Sequence, residues 1–146
     1  MDSSKIKKFW DAQAKKSKYL KLEGIANLEE SPEMLAQKIK EERNKISKFI
    51  SLESPMNVLD LGSGTGQWSL YFSEYVKQVI AVEYSKDMCE LAQNEAKKRG
   101  AHNVQFINCA AQDFKPKMKF DLIFISGLLI YLNDKECDLL LSMCFK

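Results

Sequence analysis

The sequence has one histidine, four cysteines without a C-x-x-C pair, three prolines and no long apolar run. A zinc site needs cysteine and histidine ligands at short spacing, so these residues do not predict one. No apolar stretch approaches the ~20 residues of a membrane-spanning helix, and the first residues lack the apolar segment of a signal peptide. The scarcity of glycine and proline excludes collagen-like and low-complexity chains. A globular protein with free thiols remains, and the cytoplasm is its expected compartment.

The residues that are present fit one domain. The chain has 146 residues, 45% of them hydrophobic and 29% charged, which is close to the ~150 residues of a typical domain. The net charge of +2 is too small to indicate nucleic acid, although residues 1–21 carry seven lysines against two aspartates. A solvated helix face explains this basic segment best, and an anionic substrate or surface is the alternative. We expect no nucleic-acid partner.

The pattern of hydrophobic residues changes near residue 53. Residues 1–52 predict a helical segment, in which Ser31-Pro32-Glu33 is a helix start and the helix runs from Met34 to about Ser51. From residue 53 onward, short apolar runs alternate with helical patterns. Such alternation predicts a mostly parallel sheet covered by helices on both faces, which is a Rossmann-like three-layer α/β sandwich. The predicted strands are Met56–Leu61, Gln78–Glu83, Val104–Asn108 and Phe120–Ile125.

A glycine-rich turn joins the first strand to the helix that follows it. The segment from Asp60 to Gly66 reads DLGSGTG, and its alternate glycines remove every Cβ that would keep a ligand from the backbone. The amides at the start of the helix favour an anionic group. Dinucleotide-binding proteins space these glycines as G-x-G-x-x-G, which would require glycine where this chain has Gln67. A nicotinamide cofactor is therefore disfavoured.

The run VLDLGSGTG in this strand–turn–helix setting resembles the first motif of the class I S-adenosylmethionine-dependent methyltransferases. The resemblance extends over roughly residues 30–146. It implies that S-adenosyl-L-methionine (SAM) is the cofactor and S-adenosyl-L-homocysteine (SAH) the product. It also implies that Gly62, Gly64 and Gly66 lie against the cofactor, that Thr65 lies near its methionine carboxylate, and that Asp60 holds its ammonium group directly or through water.

The resemblance assigns further cofactor contacts after the second strand. Glu83 ends that strand at the position where the family has an acidic residue, and a carboxylate has two oxygens to accept both ribose hydroxyls. Tyr84 and Met88 follow at the positions that flank the adenine. Without the glycine turn, Glu83 would be interpreted as a solvated strand end.

The third and fourth strands carry weaker signals. Many family members have an acidic residue where this chain has Ala110, so Ala111 and Gln112 are expected to contact the adenine instead. Ser126 lies where the sulfonium and the acceptor should meet, beyond the carboxyl end of the fourth strand. The chain lacks the N/D/S-P-P-Y/F signature of enzymes that methylate base amino groups. Tyr131 either orients an acceptor or packs under the last helix.

The resemblance therefore predicts a methyltransferase with an unidentified, small-molecule acceptor. The sequence distinguishes neither O-, N- nor C-methylation, and it offers no general base, because His102 precedes the third strand. A non-catalytic SAM-binding subunit or half-domain that needs a partner chain is the alternative. Phe9, Trp10 and Tyr19 form either a helical lid over the cofactor or ordinary packing, so deletion of residues 1–20 tests the lid.

The family's sheet has seven strands in the order 3-2-1-4-5-7-6, and this sequence supplies four. The fourth strand, which contains Phe120 and Phe124, is then an apolar edge of the sheet. We expect it to pair with another copy of the chain or with a separate chain, unless the sequence is a shortened form of a longer one.

Overall fold

The computed structural model describes residues 3–20 and 31–145, with four strands and five α-helices in them. Two short 3₁₀ turns cover residues 111–113 and 129–131. In chain order the helices and strands are α1 (Ser3–Leu20), α2 (Pro32–Ile46), β1 (Asn57–Leu61), α3 (Gln67–Ser73), β2 (Gln78–Glu83), α4 (Lys86–Arg99), β3 (Val104–Asn108), β4 (Leu122–Ile125) and α5 (Asp134–Cys144).

The four strands form one parallel sheet in the order β3-β2-β1-β4. This arrangement confirms the predicted α/β Rossmann-like fold and the first four positions of the expected strand order. Because all the strands are parallel, their carboxyl ends meet at one edge of the sheet, and ligands of such sheets bind beyond that edge. The topology therefore gathers the loops after β1, β2, β3 and β4 into one place.

Helices cover both faces of the sheet. On one face, Val58 and Val79 pack against Phe72 of α3. On the other face, Leu59 and Ile80 belong to a cluster with Leu140 of α5. Neighbouring residues of one strand point to opposite faces, so strands buried on both sides have continuous apolar runs. The core thus holds the carboxyl edge of the sheet rigidly.

Helix α2 differs from the expectation at its end. It begins as predicted, with the Ser31 hydroxyl accepting a hydrogen bond from the Met34 N–H at 3.3 Å. It ends at Ile46 rather than near Ser51, so the predicted end was wrong. The Ser47 hydroxyl donates to the Asn44 carbonyl at 3.1 Å, a local hydrogen bond that competes with continued helix.

The remaining helices begin and end at clear signals. The Ser85 hydroxyl caps α4, and Gly100 ends this helix with a φ of +68°. Asn133 and Glu136 form a reciprocal capping box at the start of α5. Among the helices of residues 3–20 and 31–145, none is both long and apolar enough to span a membrane. The side chain of Tyr19 lies outside the described part of the structure.

Candidate functional site

A cavity of about 470 Å³ lies at the carboxyl edge of the sheet, and α1 and α2 contribute to its walls. This volume is within the range of small-molecule sites, roughly 300–1,000 Å³. Asp60 and Gly66 do not line the cavity. The other predicted cofactor contacts do line it: Gly62, Gly64, Thr65, Glu83, Tyr84, Met88, Ala111, Gln112 and Ser126.

The glycine turn is hydrogen-bonded to the neighbouring strand, β2. The N–H groups of Gly62 and Ser63 both donate to the Val82 carbonyl, at 2.9 and 3.0 Å. Gly64 has a φ of +56°, and a Cβ built on it would meet nothing within 4 Å. The backbone at Gly64 is therefore bare at the cavity wall, as ligand contact with the main chain requires.

Packing inside the protein explains why Gly66 is glycine. A Cβ at this position would lie 2.9 Å from the ring of Phe106 and 3.0 Å from the Cβ of Ala92, and its φ is +80°. Real Cβ atoms do not approach other atoms so closely, and a side chain would strain this left-handed backbone. Gly66 thus allows α3, α4 and β3 to pack closely, away from the cavity wall.

Glu83 connects the second strand to the glycine turn. Its Oε2 accepts a hydrogen bond from the Gly64 N–H at 2.8 Å, and its Oε1 accepts one from the Ser85 N–H at 2.7 Å. Burial raises the pKa of this carboxyl group, and these two backbone N–H groups oppose the rise. Because each carboxylate oxygen has two lone pairs, both oxygens keep one for a ligand hydroxyl.

Asp60 lies beneath the turn rather than on the cavity wall. It is 2% exposed, and its Oδ2 accepts a hydrogen bond from the Ser69 hydroxyl at 2.5 Å. Burial is the main cause that raises the pKa of Asp60 to about 7, and the charge of Glu83 adds to the increase. The structure therefore presents Asp60 as a buried support of α3 and the glycine turn.

The residues expected near an adenine form the next part of the wall. Met88 is 3% exposed and packs against Ala14 of α1. The ring of Tyr84 is partly exposed, with the Lys7 ammonium 6.0 Å from its centroid. Ala111 is buried and Gln112 half-buried. Helix α1 therefore contacts this side of the cavity directly.

The loop after β4 forms the opposite part of the wall. Ser126 and Gly127 line the cavity directly after the strand ends. Tyr131 also lines it, and its ring meets Trp10 edge-on, with 5.6 Å between centroids and 82° between planes. Of the three aromatic residues predicted for a lid, Trp10 lines the cavity, whereas the side chain of Phe9 is half exposed.

Comparison with known proteins identifies the family. The model of the family described as methyltransferase domain matches residues 58–146, which include the glycine turn, Glu83 and the loop after β4. The chain belongs to the methyltransferase domain family. This match confirms the resemblance drawn from the VLDLGSGTG motif.

Individual relatives of this methyltransferase domain differ in what they methylate. An uncharacterized methyltransferase of Bacillus subtilis, YcgJ, is 40% identical over 67 residues, which are 45% of this chain and 26% of that protein. A tRNA 5-carboxymethoxyuridine methyltransferase of Escherichia coli is 37% identical over 82 residues, which are 54% of this chain and 31% of that protein. The chain thus spans about a third or less of the length of these curated relatives.

A solved structure extends the likeness in fold to nearly the whole of this chain. It is phosphoethanolamine N-methyltransferase 1 of Haemonchus contortus, solved with phosphoethanolamine and S-adenosylhomocysteine. It is 22% identical and covers 97% of this chain and 29% of that chain, with a TM-score of 0.77. At this level of identity, the comparison establishes the shared architecture.

Several residues of the site have no counterpart among the sequence predictions. Asn108 donates from its Nδ2 to the carbonyls of Glu83 and Tyr84 at 2.8 and 3.0 Å, which fixes the exit of β2. Asn108 is a polar residue at the end of a predicted strand, and this position could have indicated its role from the sequence. Lys38 and Glu42 of α2 also line the cavity, and nothing in the sequence places α2 beside it.

The structure also locates the groups considered for acid–base or metal chemistry. His102 lies two residues before the start of β3, at the amino edge of the sheet and opposite the cavity. Within the described ranges of the methyltransferase domain, no group of three or more His, Cys, Asp or Glu side chains is placed to hold a metal ion. The carboxylates that line the cavity are those of Glu42 and Glu83.

Proposed function

We propose that the chain is the cofactor-binding part of a SAM-dependent methyltransferase that methylates a small organic acceptor. One observation carries this proposal, namely the junction of the bare backbone at Gly64 with the Glu83 carboxylate at the wall of a ligand-sized cavity. Membership of the methyltransferase domain family supports the choice of SAM over other nucleosides.

The residues at this junction fit SAM in shape and charge. Glu83 has one free lone pair on each carboxylate oxygen, which suits the two hydroxyls of a ribose. Gly64 leaves space beside the backbone. The cavity wall contains the carboxylates of Glu42 and Glu83 and the ammonium groups of Lys7 and Lys38, so it suits a ligand that carries both positive and negative groups. SAM has a sulfonium, an ammonium and a carboxylate group.

When bound, SAM supplies an activated methyl group, which leaves the sulfonium by in-line displacement. The protein's contribution is therefore to orient the acceptor and exclude water. Trp10, Tyr131 and Leu128 give the wall beside Ser126 an apolar lining suited to this. Holding two reactants in line accounts for up to roughly 7–11 kcal/mol of barrier reduction in well-oriented systems. An acceptor that is uncharged and nucleophilic at neutral pH needs no further base.

A small acceptor fits this cavity better than a macromolecule does. Helices α1 and α2 both contribute residues to the cavity wall, among them Ile6 and Ile39. The name of the E. coli relative puts its acceptor on tRNA, but family membership alone does not carry that acceptor over to this chain. The enclosing helices support a molecule that fits beside the cofactor in one cavity.

The first test measures the cofactor and the role of Glu83. We expect calorimetry to show binding of SAM and SAH and no binding of NAD. The Glu83→Gln variant should bind SAM about tenfold to a hundredfold more weakly, because hydrogen bonds to a charged group contribute ~1.5–3 kcal/mol. A methyl-release assay with candidate small acceptors then tests turnover.

Glu90→Gln is the matched control, since Glu90 is exposed on α4 and does not line the cavity. It should bind SAM like the unaltered chain. Equal affinity of the Glu83 and Glu90 variants for SAM, or a preference for NAD, would contradict the proposed site. SAM binding without turnover, restored by an added partner chain, would instead favour the cofactor-binding subunit.

A further inference from the structure

Helix α1 reaches the cavity but buries little apolar surface in doing so. Among its described side chains, Ala14 alone is fully buried, and it packs against Met88. Trp10 and Ile6 are half-buried at the cavity wall. The opposite side of the helix is exposed and basic, with Lys8 and Lys16. Trp10 also packs against the cluster of Ala14 and Met88, but it is only partly removed from water, so polar contacts also contribute to how firmly α1 is docked.

Asp11 makes a side-chain hydrogen bond between α1 and the rest of the site, and an exposed ion pair between Lys15 and Asp87 at 3.8 Å also joins α1 to α4. Asp11 accepts a hydrogen bond from the hydroxyl of Ser85, which lies 74 positions further along the chain. Its other oxygen pairs with the Lys7 ammonium at 3.1 Å. Ser85 is the N-cap of α4, so the Asp11 carboxylate also lies at the positive end of that helix dipole.

Ser85 links this contact to the proposed cofactor contacts. Its backbone N–H donates to Glu83 Oε1 at 2.7 Å, and its hydroxyl oxygen accepts from the Met88 N–H at 3.3 Å. The second oxygen of Glu83 accepts from the Gly64 N–H. A continuous hydrogen-bonded path therefore runs from α1 through Ser85 and Glu83 to the glycine turn.

We propose that Asp11 is the positioning residue that holds α1 closed over the cofactor, through its hydrogen bond to Ser85. This inference rests on the proposed function, because it assigns α1 a role at the same cavity. The same helix carries Ile6, Lys7 and Trp10 into the cavity wall. Separation of α1 from α4 would remove these residues from the cavity wall, so we expect the Asp11–Ser85 contact to slow the release of SAH.

The test combines ligand release with hydrogen exchange. In Asp11→Ala, the dissociation rate of SAH should rise about tenfold, and the amides of α1 should exchange faster in the free protein, while the amides of β1 and β2 keep their protection. Asp11→Asn retains an acceptor oxygen for the Ser85 hydroxyl and should restore most of the slow release. A purely structural loss would instead speed exchange in the sheet as well.

Asp138→Ala is the control, because Asp138 is exposed on α5 and does not line the cavity. Unchanged SAH release and unchanged α1 exchange in Asp11→Ala would overturn the inference. If the unaltered chain binds no SAH, the proposed function fails. The hydrogen-exchange rate of the α1 amides in the free protein then still shows whether Asp11 holds this helix against α4.

Discussion

Asp60 supports the glycine turn from beneath, a role that its position in the motif does not indicate. The resemblance implied that this carboxyl group holds the ammonium of the cofactor, directly or through water. In the structure it lies under the turn, bonded to Ser69, on the sheet face that α3 covers. A carboxyl group removed from water keeps its proton to higher pH, which is why its pKa rises to about 7.

This raised pKa makes a prediction for stability. Between pH 4 and 7 the folded chain holds a proton on Asp60 that the unfolded chain releases, so ionisation of this group lowers the free energy of unfolding as pH rises. The full loss is on the order of 4 kcal/mol. We expect Asp60→Asn to abolish this pH-dependent loss of stability. The free energy of unfolding of the variant, relative to that of the unaltered chain, should therefore increase from pH 5 to pH 8.

Urea unfolding at pH 5 and pH 8 measures the free energy of unfolding of the variant and of the unaltered chain. The contributions of the other carboxyl groups largely cancel when the two proteins are compared at each pH. The exposed residue Asp138 provides a control, and Asp138→Asn should follow the unaltered chain. Identical pH dependence of the Asp60 variant and the unaltered chain would show that Asp60 is ionised when buried.

The glycine-rich motif predicts the positions of some site residues and leaves the roles of others undetermined. The resemblance to the methyltransferase family implied that Gly64 and Glu83 contact the cofactor, and both residues line the cavity. The reason for Gly66 was not predicted, since it depends on Phe106, which lies 40 positions away and comes close only in the folded sheet. The role of Asn108 was missed for the same reason.

At the scale of elements, α1 is the segment whose role depends most on tertiary contacts. Its sequence shows aromatic residues among lysines, which fits both a lid and ordinary packing. The structure puts Trp10 against Tyr131 at the cavity and leaves Phe9 half exposed beside it. These two neighbouring aromatic residues therefore separate the two interpretations experimentally.

We expect Trp10→Ala to raise the KM for the acceptor identified by methyl release. Loss of the edge contact with Tyr131 should raise it by ~3- to 10-fold, as for aromatic pairs of ~0.5–1.5 kcal/mol. The affinity for SAM should change less. Phe9→Ala on the same helix is the control, and an equal rise in KM for both variants would assign α1 to general packing instead.

At the scale of the whole molecule, the sheet has two outer strands, β3 and β4. Within residues 3–20 and 31–145, β4 is hydrogen-bonded to β1 and to no second strand. Its four residues are all half-buried and apolar. An exposed apolar edge is a template for pairing with another strand.

We therefore expect the isolated 146-residue chain to associate through β4, with a second copy or with a separate chain. Sedimentation velocity between about 1 and 100 µM should show a concentration-dependent increase in mass if copies pair with one another. A sharp monomer throughout this range would count against self-pairing. The SAM site lies at the carboxyl edge and not along β4, so SAM affinity should be the same at both concentrations.

The α/β class, the order of helices and strands, and the family follow from the amino-acid sequence, because strand–helix alternation and the glycine spacing are local in the chain. The contact of α1 with the site through Asp11 and Ser85, and the buried positions of Asp60 and Gly66 beneath the cavity, are known only from the folded structure. These facts depend on contacts between residues far apart in the chain, and such contacts exist only after the sheet and its helices have packed.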